Sequence, residues 1–460
     1  MKYAIISMLI FLLCDINSIS IEQGIKWLNE KHPYIEIKEV NLDGVGIKDG
    51  KRAIFLRHET KCLPIESKYD LLIICPDDWI KFLGKFKKHK EKEGIKTIIV
   101  GLNEIHNNGR DLAEKIKYCI KESIEKLGIK YVLLLGSIDK IPIRYVLYAW
   151  ESGGKIYKEW LPTDLYYADI YRYENGKIVF SSWDTNGNGI YGESYAGGIG
   201  ENDIIDLYPD VYLGRLACEN KFILKQVIRK IINYDSNGRW FKRIILVGGD
   251  TFPNWGILEG EYMNNYIANI MKEFEPYKIW YSLGNLNTIE IQKALEMGAG
   301  FLYYSGHGFP YGWATHPKGS DEWIGEYYTP YIFALFNLYR LPIVFLDACL
   351  TAKIDFNLTD LGIPIKHNLP CFAWCFVRCP YGGAIATIGA TRVAFTGVDQ
   401  NGPKWGASYL AYTFFSSYNE TKLLGEIFVE AQEKYVNKNP WDKWTVQEFI
   451  LLGDPTLRIK

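Results

Sequence analysis

Short apolar runs alternate with longer amphipathic stretches along most of this sequence, and that alternation constrains the fold more than any other feature. Residues 69–76 (YDLLIICP), 96–102 (KTIIVGL) and 130–137 (KYVLLLGS) are rich in β-branched and aliphatic residues, which is typical of buried strands. Residues 111–128 carry apolar side chains at helical spacing and end in glycine. Strands and helices in this order pair in parallel through crossovers, so the sequence predicts an α/β fold.

The alternation is interrupted once and then starts again, which predicts two adjacent α/β subdomains with mostly parallel sheets. A polar, glycine-rich region covers about residues 151–206, and residues 236–240 (SNGRW) mark the expected junction. A chain of 460 residues is also too long for one ordinary domain. We therefore expect a first subdomain over residues 65–238 and a second over residues 239–460.

The first 20 residues have the layout of a secretory signal. Lys2 precedes an apolar stretch from Ala4 to Cys14, and this stretch is too short to span a bilayer as a helix. A buried N-terminal strand is the alternative. We expect a signal peptide over residues 1–20, a short segment over 21–64, a secreted or cell-surface location and no stable membrane span. The formal net charge of −1 gives no global attraction to nucleic acid, so we expect no such partner.

The sequence contains nine cysteines, one of which falls within the expected signal peptide. Their irregular spacing does not indicate a dense disulfide scaffold. Cys371, Cys375 and Cys379 fall at i, i+4 and i+8 on one helix face, which allows either a metal site or apolar packing. Packing is favoured, because one helix cannot easily surround a tetrahedral metal ion with three thiolates.

Two apolar runs of the second expected subdomain end in reactive side chains. His307 follows FLYYSG, and Cys349 follows IVFLDA. Ligands of open α/β sheets bind beyond the carboxyl ends of the strands, so a shared parallel sheet would bring both side chains to one edge. A cysteine attacks as the thiolate, and histidine is the natural base near neutral pH. The sequence therefore predicts a Cys-His dyad.

Attack of a thiolate on an amide places negative charge on the carbonyl oxygen, and that charge needs fixed hydrogen-bond donors. Gly308 has no side chain to block its own N–H, and the N–H of Cys349 is the second expected donor. Each reactive residue alone has an ordinary explanation, because a histidine between glycines is usually a turn residue and a cysteine after a strand is usually core. Their joint placement favours catalysis.

These motifs resemble the paired signature of the gingipain-type cysteine peptidases, distant relatives of caspases and legumains. The resemblance covers about residues 65–460 through further stretches in the family's order: KYVLLLGSIDKIP, DVYLGRLACENK, LPCFAW, GGAIATIGATR and LLGDPTLRI. It implies a caspase/gingipain-like three-layer α/β sandwich and a secreted cysteine endopeptidase that forms a thioester acyl-enzyme on protein or peptide substrates. A catalytically silent or transpeptidating surface protein of the same fold is the alternative, and a calcium-dependent binding module is a third hypothesis.

The resemblance also implies catalytic roles. His307 matches the catalytic histidine of the family and Cys349 its nucleophile, which makes the second subdomain the catalytic one. The family has an acidic residue that orients the histidine. Asp250 in LVGGDTFP offers such a residue, with Asp347 as the alternative, and an acid at the far imidazole nitrogen would fix the tautomer. His316 is a less favoured base.

Gingipains cleave after Arg or Lys because an acid lines the substrate pocket. In GILEGEYMNN, the stretch that follows Asp250, Glu261 aligns best with that acid and Glu259 lies close to it. A buried carboxylate would select a cationic side chain through charge-assisted hydrogen bonds. The alternative is that both glutamates only complement the dipole at a helix N-terminus.

Residues 184–193 (DTNGNGIYGE) form a second cluster of oxygen ligands. The spacing resembles the start of a calcium loop, although the closing acid falls at position 10 instead of 12. Asp164 and Asp169 are additional acids nearby in sequence, and an Asn-Gly hairpin turn is the alternative. Calcium would be structural, because it has no role in thiol attack. The candidate ligands are Asp184, Asn186, Asn188, Ile190 and Glu193.

Overall fold

The computed structural model describes residues 68–399 and 401–459. The expected signal peptide over residues 1–20 and the segment over 21–64 lie outside the described residues. The strands are β1 (Leu71–Cys75), β2 (Thr97–Gly101), β3 (Tyr131–Leu135), β4 (Arg144–Ser152), β5 (Lys155–Thr163), β6 (Tyr171–Glu174), β7 (Lys177–Phe180), β8 (Ser194–Tyr195), β9 (Tyr212–Leu216), β10 (Arg243–Gly248), β11 (Glu275–Trp280), β12 (Phe301–Ser305), β13 (His307–Phe309), β14 (Gly312–Thr315), β15 (Ile324–Tyr328), β16 (Ile343–Asp347), β17 (Ala386–Ala390), β18 (Thr396–Asp399), β19 (Gly402–Trp405) and β20 (Phe449–Leu452).

The α-helices connect these strands and pack against them. They are α1 (Gly84–Lys92), α2 (Leu112–Leu127), α3 (Leu165–Ala168), α4 (Lys221–Asn233), α5 (Glu259–Ile270), α6 (Thr288–Met297), α7 (Thr329–Phe333), α8 (Phe372–Arg378), α9 (Gly406–Ser416), α10 (Leu424–Lys438) and α11 (Lys443–Glu448). The longest of them, α2, has sequence-encoded caps: the Asp111 side chain accepts a hydrogen bond from the Glu114 N–H at the start of the helix, and Gly128 ends it in the left-handed conformation. No helix of the described part of the chain is long and apolar enough to cross a membrane.

Ten strands form one sheet in the order β11-β10-β12-β16-β17-β20-β9-β3-β1-β2. All neighbours pair in parallel except β17 and β20, which are antiparallel. Strands β1, β3, β12, β16 and β17 are buried at every residue, which is why they appear in the sequence as continuous apolar runs. The predicted α/β fold with mostly parallel pairing is confirmed.

Strands from both predicted subdomains contribute to this sheet. The last strand of the chain, β20, lies between β17 and β9, with Leu452 opposite Arg215. Arg215 is fully buried and forms two hydrogen bonds of 2.7 Å with the carboxylate of Asp164. The proposed boundary at residue 238 stays a prediction, and the two flanking halves are joined by a continuous hydrogen-bonded sheet.

The parallel strands β10, β12 and β16 bring their carboxyl ends to one edge of the sheet. Gly248, Ser305 and Asp347 lie side by side in register at that edge. The chain leaves the sheet there in three segments: the loop before α5, the small antiparallel sheet β13-β14-β15, and the turn after β16. The predicted dyad therefore lies where ligands of α/β sheets normally bind.

Candidate active site

The ends of β12 and β16 bring the two predicted reactive residues to the same edge. Gly306 N–H donates to the Asp347 carbonyl at 3.2 Å. Ser305 and Asp347 are paired at the ends of β12 and β16, and His307 and Cys349 each lie two residues beyond them. A methyl group placed on Gly308 would lie 2.3 Å from the carbonyl oxygen of Cys349. The backbones of the two motifs are therefore in direct contact, and glycine is required there to allow it.

His307 is oriented by a backbone carbonyl. Its Nε2 lies 2.8 Å from the carbonyl oxygen of Thr251. Because a carbonyl oxygen only accepts, Nε2 carries the proton and Nδ1 is left as the basic nitrogen. Burial lowers the pKa of His307, the Thr251 carbonyl opposes this, and His316 lowers it further. The imidazole is therefore neutral near neutral pH and able to accept a proton.

Cys349 is a partly exposed free thiol. Its Sγ donates to the carbonyl oxygen of Ala394 at 3.4 Å. Burial raises the pKa of Cys349 to about 12, and the negative charges of Glu448 and Asp347 act in the same direction. The sulfur is therefore protonated at neutral pH, so any nucleophilic attack by Cys349 would require removal of this proton.

The turn that carries Cys349 is conformationally strained. The next residue, Leu350, has φ 58°, a left-handed conformation that non-glycine residues rarely adopt. Leu350 is held there because its N–H donates to the Arg392 carbonyl at 2.8 Å. Among the described residues, the N–H of Cys349 donates no hydrogen bond to a backbone carbonyl. This leaves it available for the oxyanion role that the sequence predicts.

The Asp250 carboxylate accepts a hydrogen bond from Gly319 N–H at 3.2 Å through Oδ2, while Oδ1 is buried without a partner among the described residues. The hydrogen bond expected between this carboxylate and the imidazole is therefore not present, and the next residue, Thr251, supplies the acceptor instead. Asp250 still contributes to the position of the site, because its backbone pairs with His316 in both directions at 3.0 Å. Its inclusion among the catalytic residues stays a prediction.

Asp347, the alternative orienting acid, faces a cluster of hydroxyl groups. Its Oδ2 accepts hydrogen bonds from Tyr303, Ser408 and Ser305 at 2.6, 2.7 and 3.3 Å. Burial raises the pKa of Asp347, and these three hydroxyl groups oppose that shift. The carboxylate is hydrogen-bonded within this group of hydroxyls, and its role as the alternative orienting acid stays a prediction.

The two predicted pocket glutamates have different partners. Glu261 accepts from the N–H and hydroxyl groups of Ser282 at 2.8 and 2.5 Å, so both of its oxygens are occupied. Glu259 accepts from the N–H groups of Thr251 and Phe252 at 3.1 and 3.3 Å through Oε2, while its buried Oε1 has no partner within the described chain. Burial raises the pKa of Glu259 to about 7. Of these two glutamates, Glu259 is the one that keeps an oxygen without a hydrogen-bond partner among the described residues.

Comparison with known proteins identifies this arrangement. The sequence pattern of Peptidase family C25 matches residues 65–460. The chain belongs to peptidase family C25. The gingipain-type resemblance predicted from the motifs is therefore confirmed.

Individual relatives agree with this assignment. The chain is 24% identical over 441 residues to gingipain R2 of Porphyromonas gingivalis strain W83, which covers 90% of this chain and 50% of that protein. It is 24% identical over 465 residues to gingipain R1 of P. gingivalis, covering 95% of this chain and 38% of that protein. This chain therefore spans half or less of the length of these relatives.

Solved structures show the same fold. The crystal structure of the Arg specific cysteine proteinase gingipain R superposes with a TM-score of 0.61 at 19% identity, covering 86% of this chain and 79% of that one. The complex of P. gingivalis RgpB pro- and mature domains gives a TM-score of 0.60 at 20% identity, covering 85% and 80%. The predicted caspase/gingipain-like fold is confirmed.

The loop over residues 184–193 gathers most of the predicted calcium ligands. Asn186 and Asn188 both donate their amide groups to Oε2 of Glu193, at 3.0 and 2.6 Å. Asp184 is ion-paired with Arg110 and accepts from Gly189 N–H at 3.2 Å, while its Oδ1 is buried without a partner in the described structure. The amide oxygens of Asn186 and Asn188 accept the N–H groups of Asn188 and Ile190 at 3.1 and 2.8 Å, so calcium binding here would require both amide groups to rotate.

Two further observations bear on the calcium prediction. No group of three or more His, Cys, Asp or Glu side chains in residues 68–399 and 401–459 is arranged to hold a metal ion, so a calcium site here depends on asparagine and backbone oxygens such as that of Ile190. The additional acids proposed nearby have other roles. Asp164 pairs with Arg215, and Asp169 is a buried carboxylate whose charge interacts with Lys117.

The three cysteines around α8 are explained by packing. Cys371, Cys375 and Cys379 are all buried free thiols. Burial raises the pKa of each, in the case of Cys371 to about 12. These residues therefore behave as small apolar side chains.

Sequence reasoning missed Thr251 and Ala394, because both act through backbone carbonyls that every residue has. It also missed the aromatic side chains that surround His307. Phe309 lies in an aromatic-rich stretch next to the histidine motif, which was a usable signal, whereas Phe252, Trp255 and Trp323 are distant from His307 in sequence.

Proposed function

We propose that this protein is a cysteine endopeptidase in which Cys349 attacks a peptide bond and His307 transfers the proton. The observation that carries the proposal is the contact between the Gly308 and Cys349 backbones, combined with an imidazole fixed through Nε2 by the Thr251 carbonyl. Membership of a peptidase family supports the same conclusion.

The reaction begins with the neutral imidazole. Nδ1 of His307 accepts the thiol proton as Sγ of Cys349 forms a bond to the carbonyl carbon, and the electron pair of the C=O bond moves to oxygen. The N–H groups of Cys349 and Gly308 are the proposed donors to this oxyanion. The general-base route follows from the high pKa of Cys349, about 12, because a preformed thiolate would be scarce near neutral pH.

Collapse of the intermediate breaks the carbon–nitrogen bond. The imidazolium gives its proton to the leaving amine, and the acyl group stays on sulfur as a thioester. His307 then accepts a proton from water as water attacks the thioester, and Cys349 is regenerated as a thiol. The Thr251 carbonyl stabilises the imidazolium at both stages, because its partner Nε2–H becomes more acidic when the ring is charged.

An active-site probe tests this mechanism directly. A peptidyl acyloxymethyl ketone should label wild-type protein once, at Cys349, and the label should be lost in His307→Ala. Cys375→Ala is the matched control, because it removes a buried cysteine outside the site and should leave labelling unchanged. Peptide-map mass spectrometry locates the label. An unlabelled Cys349 in folded protein would favour the alternative that this protein has the fold but no catalytic activity. Transfer of the acyl group to an added peptide in preference to water would favour a transpeptidase.

We propose further that the substrate residue before the scissile bond is Arg or Lys. One solved relative is described as Arg specific, and here Glu259 has an unsatisfied buried oxygen beside the loop that orients His307. Fluorogenic peptides with Arg, Lys, Gln or Leu at that position test the proposal in Glu259→Gln and in Glu261→Gln. A selective loss of Arg and Lys cleavage identifies the pocket acid, and unchanged selectivity in both variants rejects the assignment.

We also propose that calcium binds the loop over residues 184–193 as a structural ion. The support is the convergence of Asn186 and Asn188 on Glu193, together with the unpartnered oxygen of Asp184. Millimolar calcium should raise the melting temperature of wild-type protein and have no effect on Asp184→Asn. Asp321→Asn, an exposed acid in another loop, is the control. An identical melting temperature with calcium and with chelator would reject the proposal.

Export rests on the sequence of residues 1–20, and we propose that the mature protein is secreted or held at the cell surface. N-terminal sequencing of protein recovered outside the cells would show a start after this segment. Intact residues 1–20 on the recovered protein would contradict cleavage of a signal peptide.

A further inference from the structure

Phe252 and Trp323 flank the imidazole of His307, and Trp255 and Phe309 pack on these two rings; we call the four residues the His307 aromatic cluster. The rings of Trp323 and Phe252 lie 5.3 and 6.2 Å from the imidazole between centroids. Trp255 stacks on Phe252 at 4.3 Å, and Phe309 meets Trp323 at 5.7 Å. The cluster is therefore continuous from one side of His307 to the other.

The cluster is not part of the protein core. Trp255 is 52% exposed, and Phe252, Phe309 and Trp323 are all partly exposed. Contiguous exposed aromatic rings are costly to leave in water and usually mark a binding surface. Their location beside a reactive histidine identifies the bound partner as the substrate chain itself.

The positions of these rings are fixed before a substrate arrives. The N–H groups of Thr251 and Phe252 are bound by Glu259 at the start of α5. Phe309 lies in β13, which pairs with β14. Trp323 packs on the buried ring of His316 with centroids 4.2 Å apart. A preformed surface of this kind binds a side chain at low entropic cost.

The chemistry of the proposed peptidase gives this surface a direction along the substrate. The acyl part of the substrate stays on Cys349, whereas the amine part leaves from His307, which protonates it. The chain that follows the scissile bond must therefore extend past the imidazole and over the rings around it.

We propose that the His307 aromatic cluster binds a large apolar side chain, aromatic or aliphatic, at the first or second residue after the scissile bond. This inference rests on the proposed function and adds a specificity determinant to it. Filling an apolar pocket discriminates between substrates by roughly 10- to 200-fold. We therefore expect peptides with Phe or Leu in these positions to be cleaved at least about tenfold faster, in kcat/KM, than peptides with Ala.

Quenched fluorescent peptides test this proposal. One acyl-side sequence is held constant, and Phe, Leu or Ala is placed at each of the two positions after the scissile bond. In Trp255→Ala, the Phe/Ala and Leu/Ala ratios of kcat/KM should fall to about threefold or less. Trp441→Ala, which removes a tryptophan that is 40% exposed and lies between α10 and α11, should keep the wild-type ratios.

A second variant protects the conclusion against folding artefacts. Trp323→Ala removes a different ring on a different loop and should lower the same ratios, and a melting curve checks that each variant is folded. Wild-type ratios near one, or ratios unchanged in both Trp255→Ala and Trp323→Ala, overturn the inference while leaving the peptidase proposal intact. Absence of all cleavage together with an unlabelled Cys349 overturns both.

Discussion

At the scale of single residues, the site combines two groups that are both uncharged at rest. Burial raises the pKa of Cys349 to about 12 and lowers that of His307 below its ordinary value. The thiol proton is held by the Ala394 carbonyl, so the proposed attack requires this hydrogen bond to be exchanged for one to the imidazole. A substrate that displaces the Ala394 carbonyl would therefore activate the nucleophile.

These pKa directions predict distinct pH profiles for alkylation and turnover. A raised thiol pKa leaves less thiolate at each pH, so iodoacetamide alkylation of Cys349 in the free protein should be slow at pH 7 and still rising at pH 10. A lowered histidine pKa keeps His307 neutral further into acid, so the acid limb of kcat/KM should fall below pH 6.5, the usual value. Mass spectrometry measures the rate of alkylation at each pH, and hydrolysis of a fluorogenic peptide measures kcat/KM. An alkylation plateau between pH 6 and 8 would indicate a resting thiolate–imidazolium pair and contradict the mechanism.

At the scale of secondary structure, the site is created by the close packing of two strand ends. A Cβ on Gly308 would approach the Cys349 carbonyl to 2.3 Å and the Ala348 side chain to 2.8 Å. Backbone atoms at these positions cannot move aside without displacing β13 or the strained turn after β16. The histidine and cysteine motifs thus depend on one small residue for their relative position.

Gly308→Ala should therefore separate His307 from Cys349. Because alanine keeps the N–H group, the substitution tests spacing and not the oxyanion donor. We expect acyloxymethyl ketone labelling to slow by at least tenfold, with a melting temperature still well above the assay temperature. Gly84→Ala at the first residue of α1, where an added Cβ meets no atom within 4 Å, is the control and should label at the wild-type rate. Normal labelling of Gly308→Ala would show that the two motifs are not in the contact described.

The same scale shows which parts of the site can be predicted from sequence. The cores of β12 and β16 were predicted because buried parallel strands need long apolar runs, and His307 and Cys349 were predicted because each ends such a run. The small sheet β13-β14-β15 was not predicted, since its short strands lie among glycines and aromatic residues without a clear alternation. The role of the Thr251 carbonyl was not predicted either, because every residue has a backbone carbonyl and residue identity does not show which one accepts a hydrogen bond.

At the scale of the whole molecule, the two halves of the chain are joined through β20. This strand follows more than 200 residues after β9 in sequence, and nothing local in FILLGDP specifies which neighbours it will have. Its insertion between β17 and β9 depends on long-range packing. The sequence therefore predicts the strands of two α/β subdomains, but not that they join in one ten-stranded sheet. The C-terminal strand thereby couples the half that contains His307 and Cys349 to the rest of the protein.

The buried ion pair of Asp164 and Arg215 lies next to β20, and its loss tests whether the two halves of the chain unfold together. In Asp164→Asn the guanidinium of Arg215 loses its counter-charge in a fully buried position, which should cost about 3–5 kcal/mol of the free energy of unfolding. Pulsed thiol labelling during denaturant unfolding, mapped by mass spectrometry, reports on Cys75 in β1 and Cys349 beyond β16. Because both halves share one sheet, the midpoints for the two cysteines should shift to lower denaturant by the same amount. The double variant Asp164→Leu with Arg215→Met removes both charges and should shift them less. A shift confined to Cys75 would mean that the first half unfolds on its own, and that β20 does not transmit its stability to the active site.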